Sequence, residues 1–563
     1  MQRGQHPGSR RSAIRRLPEA LCSALIRSLC DDALVARAFV AAIVLAAAMA
    51  VFAQPRSLAG SYGGTVESAD AETGQLAIQF ITRKETREFR IDAETRITVD
   101  GEKAAFADVK PGQRVSVVTD RSGRVIRVTA RSLSRNASKA ADIDSSGPPG
   151  VADAGGAPRS RDRETAAREG NRAEWPGYRG PSRNNISPDT GLSNDWSTDP
   201  PRPLWMAEGL GDGFSTVSLA RGMIFTMGTA GRREVVLALD ADDGNRIWSR
   251  PTGGPVFQDG HGDGPRGTPT LDGDRVYALG ASGDLLCLGI DDGNVLWRKN
   301  ILRDFDAGNI TWGISESVLI DGARLICTPG GRDAGLVALN KHTGDVLWKA
   351  AVPGDPRAAY ASAVVADVDG VRQYINFLSS GVVGVRADDG RFLWEDRSTA
   401  NGTANVSAPV FTEEGVFTAS GYGTGGSLLK LTSNGDTTDA ELAYHTNDMK
   451  NHHGGMVAID GYLYGSNDPG VLTCLELKSG RVAWKDRSVG KGAVAYADGH
   501  LYVRSEAGPL ALVEATPEDY REKGRIDQPY RSDMAAWSHP VIFGGRLYLR
   551  DMDKLLVYDV RAR

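Results

Sequence analysis

One turn-and-strand unit recurs five times between Leu237 and Asp486, and this repetition restricts the fold more than any other feature of the chain. The copies read LALDADDGNRIWSR (Leu237 to Arg250), LCLGIDDGNVLWRKN (Leu286 to Asn300), VALNKHTGDVLWKA (Val337 to Ala350), VGVRADDGRFLWED (Val383 to Asp396) and TCLELKSGRVAWKD (Thr473 to Asp486). In each, a glycine lies four residues before a tryptophan: Gly244 and Trp248, Gly293 and Trp297, Gly344 and Trp348, Gly390 and Trp394, Gly480 and Trp484. The unit predicts a β-hairpin whose strands meet at a two-residue turn ending on Gly, the residue that takes positive φ without steric cost. The position four before the Gly varies (Asp240, Gly289, Asn340, Arg386, Glu476), so no chemistry is assigned to it. The Trp, at a fixed place, is expected to wedge one repeat against the next and bury roughly 150–250 Å².

Spacing sets the architecture. The Gly-to-Gly intervals are 49, 51, 46 and 90 residues, and the last hides a worn copy, Leu428 to Gly435, whose strand runs on to about Tyr444 without a Trp. A second degenerate copy is expected near Ala511 to Gly524. Leu555 to Val560 reads as a first strand without its partner, and Pro203-Leu204-Trp205 is an orphan outer strand upstream of the first full repeat. Periods of this length with several short strands each signal a propeller. The expectation is an all-β fold, an eight-bladed β-propeller closed by the two chain ends, with a seven-bladed ring as the alternative. The expected wedges are Trp205, Trp248, Trp297, Trp348, Trp394 and Trp484.

Upstream, the first 37 residues hold seven Arg against three acids, and Ala38 to Ala53 carries no charge. This predicts an export signal over residues 1–54, an N-terminal apolar helix cleaved before Gln54 or kept as an inner-membrane anchor through residues 38–53. Everything after it is then outside the cytoplasm, in the periplasm or cell envelope. Residues 60–132 alternate apolar and polar positions between turns, with strands at Leu76 to Ile81, Arg87 to Ile91, Arg114 to Thr119 and Val125 to Ala130, and are expected to form a small β-barrel-like domain of five or six strands. The run from Thr95 to Val115 resembles small oligonucleotide-fold-like domains of bacterial envelope proteins. Its strands lack aromatic residues for base stacking, and the net charge of −5 provides no basic field, so nucleic acid is not expected as a partner. Residues 133–173 lack an apolar period and read as a disordered linker to the propeller at 174–563.

WPGYRGPSRNNIS (Trp175 to Ser187), the strand at Leu204-Trp205, the repeats, and Asn451-His-His-Gly-Gly-Met456 together resemble the exported propeller proteins with pyrroloquinoline-quinone-like repeats, related to BamB and abundant in planctomycete-type bacteria. The resemblance implies fold more than activity. It leaves two function classes. One is a noncatalytic, monomeric binding or scaffolding module without a cofactor, whose partner is an envelope protein or an extracellular polymer, with a role in outer-membrane protein assembly implied by the BamB relationship. The other is a dehydrogenase of alcohols or sugars carrying pyrroloquinoline quinone and Ca²⁺. That enzyme class uses an adjacent cysteine pair, which this chain lacks. Cys287, Cys327 and Cys474 each sit in an apolar strand and read as buried free thiols.

A ligand site is expected at the mouth of the central channel, where the innermost strands begin. The candidates there are Arg266, Trp312, Glu316, Tyr360, Asn405, His452, His453, Lys491, Trp537 and His539, with Phe214, Ser215, Thr268, Ser362 and Ser407 beside them. Glu316 is the Ca²⁺ ligand candidate of the enzyme reading; otherwise it is a hydrogen-bonded or solvated carboxylate. His452 and His453 lack HxH or HxxxH spacing, so no metal site or catalytic residue is assigned.

Overall fold

The computed structural model describes residues 60–79, 86–99, 102–119, 124–131, 174–258 and 261–563. The expected export segment and linker lie outside these residues. None of the described helices is long and apolar enough to cross a membrane. The chain divides into two compact units, Met1–Ser146 and Gly147–Arg563.

The first unit holds a seven-stranded sheet: β1 (Gly60–Asp70), β2 (Gln75–Gln79), β3 (Thr86–Arg90), β4 (Arg96–Val99), β5 (Glu102–Lys103), β6 (Arg114–Thr119) and β7 (Val125–Arg131), in the order β3-β2-β1-β6-β7-β4-β5. All pairings are antiparallel except β4 with β7. Alternate residues Leu76 and Ile78, Val115 and Val117, and Val128 and Ala130 meet in one buried cluster with Phe89 and Ile97. The sequence pattern anticipated β2, β3, β6 and β7 within two residues and did not mark β1, β4 or β5.

The second unit contains eight four-stranded antiparallel sheets, built like propeller blades, among the described residues. Seven take consecutive strands: sheet 1 starts at Ser218–Ala220, sheet 2 at Thr270–Asp272, sheet 3 at Leu319–Asp321, sheet 4 at Val364–Val368, sheet 5 at Val410–Thr412, sheet 6 at Asn451–Ile459 and sheet 7 at Gly492–Ala497. Sheet 8 joins the ends of the chain. Its strands Val541–Phe543, Arg546–Asp551 and Lys554–Asp559 are completed by Arg202–Ala207, with Val557 opposite Trp205.

Sheets make these cores because both faces of their middle strands are apolar. In Arg233–Asp240, Val235, Leu237 and Leu239 face sheet 8, while Val236 and Ala238 face sheet 2. A period of two thus splits one continuous apolar run between two interfaces. The same holds at every neighbouring pair, including sheet 8 against sheet 1.

The turn is longer than the two residues its sequence suggests. Gly244 N–H donates to Asp240 O at 3.0 Å, and the same bond recurs at Gly293 to Gly289, Gly344 to Asn340, Gly390 to Arg386 and Gly480 to Glu476. The variable position four before the Gly supplies a backbone carbonyl, which explains why its side chain is free to vary. Beyond the turn, every sheet carries a bulge in its outermost pairing; in sheet 1 Trp248 lies opposite Ala238 and Arg246 opposite Leu239, leaving Ile247 extra. A bulge sharpens the local twist. It turns the next side chain onto the following sheet.

Four of the indoles bond across to the following sheet. Trp248 Nε1 donates to Ile290 O, Trp297 Nε1 to Lys341 O and Trp348 Nε1 to Ala387 O, each at 3.0 Å, and Trp484 Nε1 to Thr516 O at 2.7 Å. Each indole except that of Trp484 covers the turn glycine of the next sheet; a Cβ on Gly293 would stand 2.6 Å from Trp248. Trp394 is the exception among the Trp wedges. Its Nε1 bonds Gln373 Oε1 of its own sheet at 2.9 Å, and its indole lies over Gly384 directly across the ladder. In sheet 5, Tyr444 takes the wedge position and donates to Leu477 O at 2.5 Å. The three described cysteines, Cys287, Cys327 and Cys474, are buried and form no disulfide; Cys287 and Cys474 are the small residues opposite Trp297 and Trp484.

Candidate functional site

The axis of the ring is filled by the chain itself. Residues Trp175 to Ser187 run inward from the end opposite the expected mouth: Trp175 exchanges two backbone bonds with Leu219 of sheet 1, and Pro176 O accepts from Leu271 N of sheet 2. The chain then turns tightly, with Arg179, Arg183 and Asn185 at φ of 63°, 52° and 62°. Such left-handed residues cost energy unless their surroundings fix them. Here the surroundings are the inner strands. Arg179 Nη2 donates to Met456 O of sheet 6; Arg183 donates to Ser317 O at 2.6 Å and Val318 O at 3.0 Å in sheet 3; Asn185 Nδ2 donates to Val494 O of sheet 7 at 2.6 Å. Ser187 N returns to Tyr496 O, and the chain leaves by the end at which it entered. Gly180 has to be Gly, since a Cβ there would stand 2.8 Å from the Trp175 ring at a φ of 80°.

Above this plug the inner strands begin, joined by a belt of hydroxyl groups. Thr216 N donates to Thr268 Oγ1, Thr268 N to Ser317 Oγ and Ser317 N to Ser362 Oγ at 2.9–3.1 Å, linking sheets 1 to 4. Ser407 Oγ donates to His452 O, and Ser538 Oγ to Phe214 O, both at 2.9 Å. Thr268, Ser362 and Ser407 are therefore structural rather than ligand-facing.

At the mouth, the structure brings several of the expected residues together. His452 and His453 stack with ring centroids 3.7 Å apart, and His453 stacks on Trp537 at 4.4 Å. The line of rings extends to Phe214 beyond Trp537, at 4.7 Å, and to Tyr422 beyond His452, at 4.5 Å. Arg266 lies over the rings of Phe214 and Phe257, at 5.6 and 4.9 Å, and donates to Gly262 O. Trp312 and Tyr360 pair at 5.5 Å, with His261 at the edge of Trp312. Rings from seven of the eight sheets thus surround the opening.

Charges concentrate on one side. Lys491 Nζ lies 2.8 Å from Asp468, 2.7 Å from His452 Nδ1 and 3.8 Å from Glu506, which in turn is 3.2 Å from His453. Burial works against ionisation of Asp468, but the bond and charge of Lys491 hold its carboxyl below the usual range. Glu506 is likewise held low against its burial by His453 and Lys491. Burial, His453 and Lys491 push His452 down to about 3, and burial with Arg179 pushes His539 down to about 4, so both imidazoles are neutral at pH 7.

Two expected residues do not face the opening. Glu316 is buried, its Oε2 accepting from Thr328 N at 2.7 Å and its Oε1 from Thr328 Oγ1 at 2.8 Å, with Asn376 and the Arg183 charge nearby. Asn405 is buried too, bonding Leu378 O and Asn401. His539 sits below the rim, donating from Nε2 to His453 O at 3.0 Å and packing on Tyr178 of the plug. Tyr178, Phe257, Tyr422, Asp468 and Glu506 were missed. Tyr422 lies in a glycine-rich turn that reads as a plain connector, and Asp468 and Glu506 come from hairpins distant in sequence from the histidines they meet. Among the described residues, no three His, Cys, Asp or Glu side chains are placed to share a metal ion.

The family model described as outer membrane protein assembly factor BamB matches residues 194–313 and 232–486. The outer membrane protein assembly factor BamB of Yersinia pestis is 25% identical over 321 residues, 54% of this chain and 65% of that protein. Its counterpart in Shewanella oneidensis is 26% identical over 185 residues, 32% of this chain and 42% of that protein. The chain thus spans less than two thirds of either relative. Among solved structures, quinohemoprotein alcohol dehydrogenase from Comamonas testosteroni is 12% identical with a TM-score of 0.49, covering 72% of this chain and 83% of that one. BamB from Moraxella catarrhalis is 14% identical with a TM-score of 0.35, covering 64% and 87%.

Proposed function

Since the chain belongs to the family of the outer membrane protein assembly factor BamB, we propose that it is a noncatalytic, eight-bladed β-propeller of the cell envelope that holds a protein partner in outer-membrane protein assembly. In this reading the eight sheets form one closed ring, exported by the segment at 1–54, and the ring works through its surface. The observation that carries it is the plug: Trp175 to Ser187 fills the axis from within, tied to inner strands of sheets 1, 2, 3, 6 and 7. A ring whose centre is taken by its own chain offers its rim, blade edges and connecting loops for contact.

The residues fit a quinone–calcium centre poorly. The carboxylate assigned to Ca²⁺ in that reading, Glu316, has both oxygens engaged by Thr328 and is drawn toward its neutral form by burial, with a pKa raised to about 7. A carboxylate that binds Ca²⁺ has to turn its oxygens to the ion, and both of Glu316's are turned onto Thr328 instead. No reaction step is therefore assigned to this group.

The test is capture of the partner in the envelope. Photo-crosslinking groups placed one at a time at Leu296, Leu347 and Tyr422 of the full chain, all exposed, should trap an outer-membrane assembly protein, and depletion of the chain should lower outer-membrane protein levels. Dye reduction with an alcohol or sugar after adding pyrroloquinoline quinone and Ca²⁺ would overturn the reading.

A further inference from the structure

The residue that the bulge leaves extra, one before the wedge, holds the same place on the outer strand of each sheet, and its exposure changes round the ring. In sheet 1 it is Ile247, which packs with Val295 of sheet 2 on the core the two sheets share. In sheets 2 and 3 it is Leu296 and Leu347, 48% and 47% exposed. Val346 of sheet 3, which has the register of Val295, is 44% exposed. In sheet 4 it is Leu393, only 9% exposed. Aliphatic side chains at one structural position thus differ in whether anything covers them.

What covers Leu393 is a longer hairpin. Sheets 1 to 4 pair one residue beyond the bulge before they turn, whereas sheet 5 continues with four more pairs, from Lys430–Glu441 to Ser433–Thr438. The added length lies against sheet 4. Leu431 and Ala440 pack on the core that holds Leu393. Ser433 N–H donates to Asp369 Oδ2 and Gln373 Nε2 to Thr438 Oγ1, each at 2.8 Å, and at the tip Arg391 lies 3.2 Å from Asp436. The same contact accounts for Trp394, because the Gln373 that holds its indole onto its own sheet is itself held by Thr438.

The uncovered positions differ in charge as well. Two residues beyond each, Arg298 and Lys349 are exposed, and their side chains make no hydrogen bond or ion pair among the described residues. At that register sheet 4 carries Glu395, already bonded by Ser380 and Arg397. Exposed aliphatic groups beside unpaired cations complement a segment that is apolar and acidic in turn. The hairpin over sheet 4 has that character, with Leu431 and Ala440 inward and Asp439 and Glu441 exposed.

We propose that the outer wall of sheets 2 and 3 docks a β-hairpin of the protein partner, apolar where it lies over Leu296, Val346 and Leu347 and acidic where it passes Arg298 and Lys349. This rests on the protein-binding reading above and names its surface and the chemistry of the segment bound.

The experiment places a photo-crosslinking residue at Leu296, Leu347 or, at the mouth, Tyr422 of the full chain in the envelope, and sequences the trapped peptides. Positions 296 and 347 should trap one protein through a β-hairpin that alternates apolar side chains with Asp or Glu. Arg298→Glu combined with Lys349→Glu, both at exposed positions, should keep the wild-type urea midpoint and lower that yield about tenfold, and exchanging the acids of the trapped hairpin for Lys should restore it. Trapping through a helix or loop, trapping of a second copy of this chain, or a yield indifferent to the charge reversal overturns the proposal. Capture at Tyr422 alone also overturns it and leaves the protein-binding reading standing; capture at none of the three positions removes both.

Discussion

Trp196 fills the place that Gly524 leaves empty. Gly524 stands opposite Leu512, where the other sheets carry their wedge, and has no side chain to reach sheet 8. Trp196, from the segment that leads out of the plug, donates its backbone N–H to Lys523 O at 2.7 Å, and its ring meets Tyr502 edge-on at 5.5 Å. It joins the core between sheets 7 and 8. A Cβ on Gly524 would stand 2.9 Å from Trp196, so the missing wedge and its replacement require each other.

The first prediction follows from that pairing. Trp196→Ala should cost about 3–5 kcal/mol, as a fully buried indole does. Hydrogen exchange should accelerate at Leu510–Glu514 and Arg546–Asp551 before it does in sheets 3 and 4. A urea midpoint equal to that of the wild type would show that Trp196 is a passenger on the surface of sheet 7.

A second prediction concerns closure. Lys554–Asp559 bonds Arg546–Asp551 on one side and Arg202–Ala207 on the other. A chain beginning after Ala207 loses the plug, Trp196 and the outer strand together, so its sheet 8 should exchange nearly as an edge. Substituting Trp205 by Ala alone removes its contacts with Gly244 and the core between sheets 8 and 1 but keeps the ladder. Exchange at Leu555 to Asp559 should therefore rise steeply in the truncation and slightly in the point variant; equal protection in both would mean that the ring does not need its joint.

These arrangements were unequally legible in the sequence. Repeat period, blade order and closing strand could be read because each is a local pattern of two-residue alternation with a Gly–Trp punctuation. Tyr444 and Trp196 as stand-in wedges could not, because a wedge is defined by what it covers in the next sheet. Trp394 carried the full motif yet turned onto its own Gly384. The plug was visible only as an unusual string, WPGYRGPSRNNIS, since its side-chain bonds to the inner strands reach 134 to 309 residues along the chain and leave no periodic trace. Glu316 fell at a mouth position by register, but Thr328 and Asn376 draw it inward. Its misplacement is one of side-chain direction, which a strand's register does not fix.

A third prediction uses that inward position. Burial raises Glu316 to about 7, and Glu234 also to about 7, both above their unfolded values. A carboxyl raised on folding contributes stability that is complete below the unfolded pKa and is lost as pH rises through the folded one. The window is therefore about pH 4.5 to 7, with of the order of 3 kcal/mol at most from each group. Gln at position 316 mimics the protonated acid, accepting from Thr328 N and donating to Thr328 Oγ1. Glu316→Gln should thus match the wild type near pH 4.5 and exceed it at pH 8 in denaturant midpoint. A variant that is weaker at pH 8 would mean that the carboxylate is held ionised by Arg183.

The last prediction separates the plug from the ring that holds it. Gly180 lies under the Trp175 indole at a φ of 80°, so Gly180→Ala introduces both a backbone strain and a Cβ only 2.8 Å from the ring. The strand cores lie between sheets and do not include this glycine, whereas Arg179, Arg183 and Asn185 depend on its turn for their reach to sheets 6, 3 and 7. The substitution should leave the far-ultraviolet spectrum of the ring intact while making the 174–187 segment open to limited proteolysis. Loosening the plug also removes Tyr178 from beneath His539, so the mouth should change with it. Resistance of the variant to cleavage, with unchanged tryptophan fluorescence, would mean that the inner strands hold the segment without its turn, and that the tight path through Gly180 is a consequence of the closed ring rather than a condition for it.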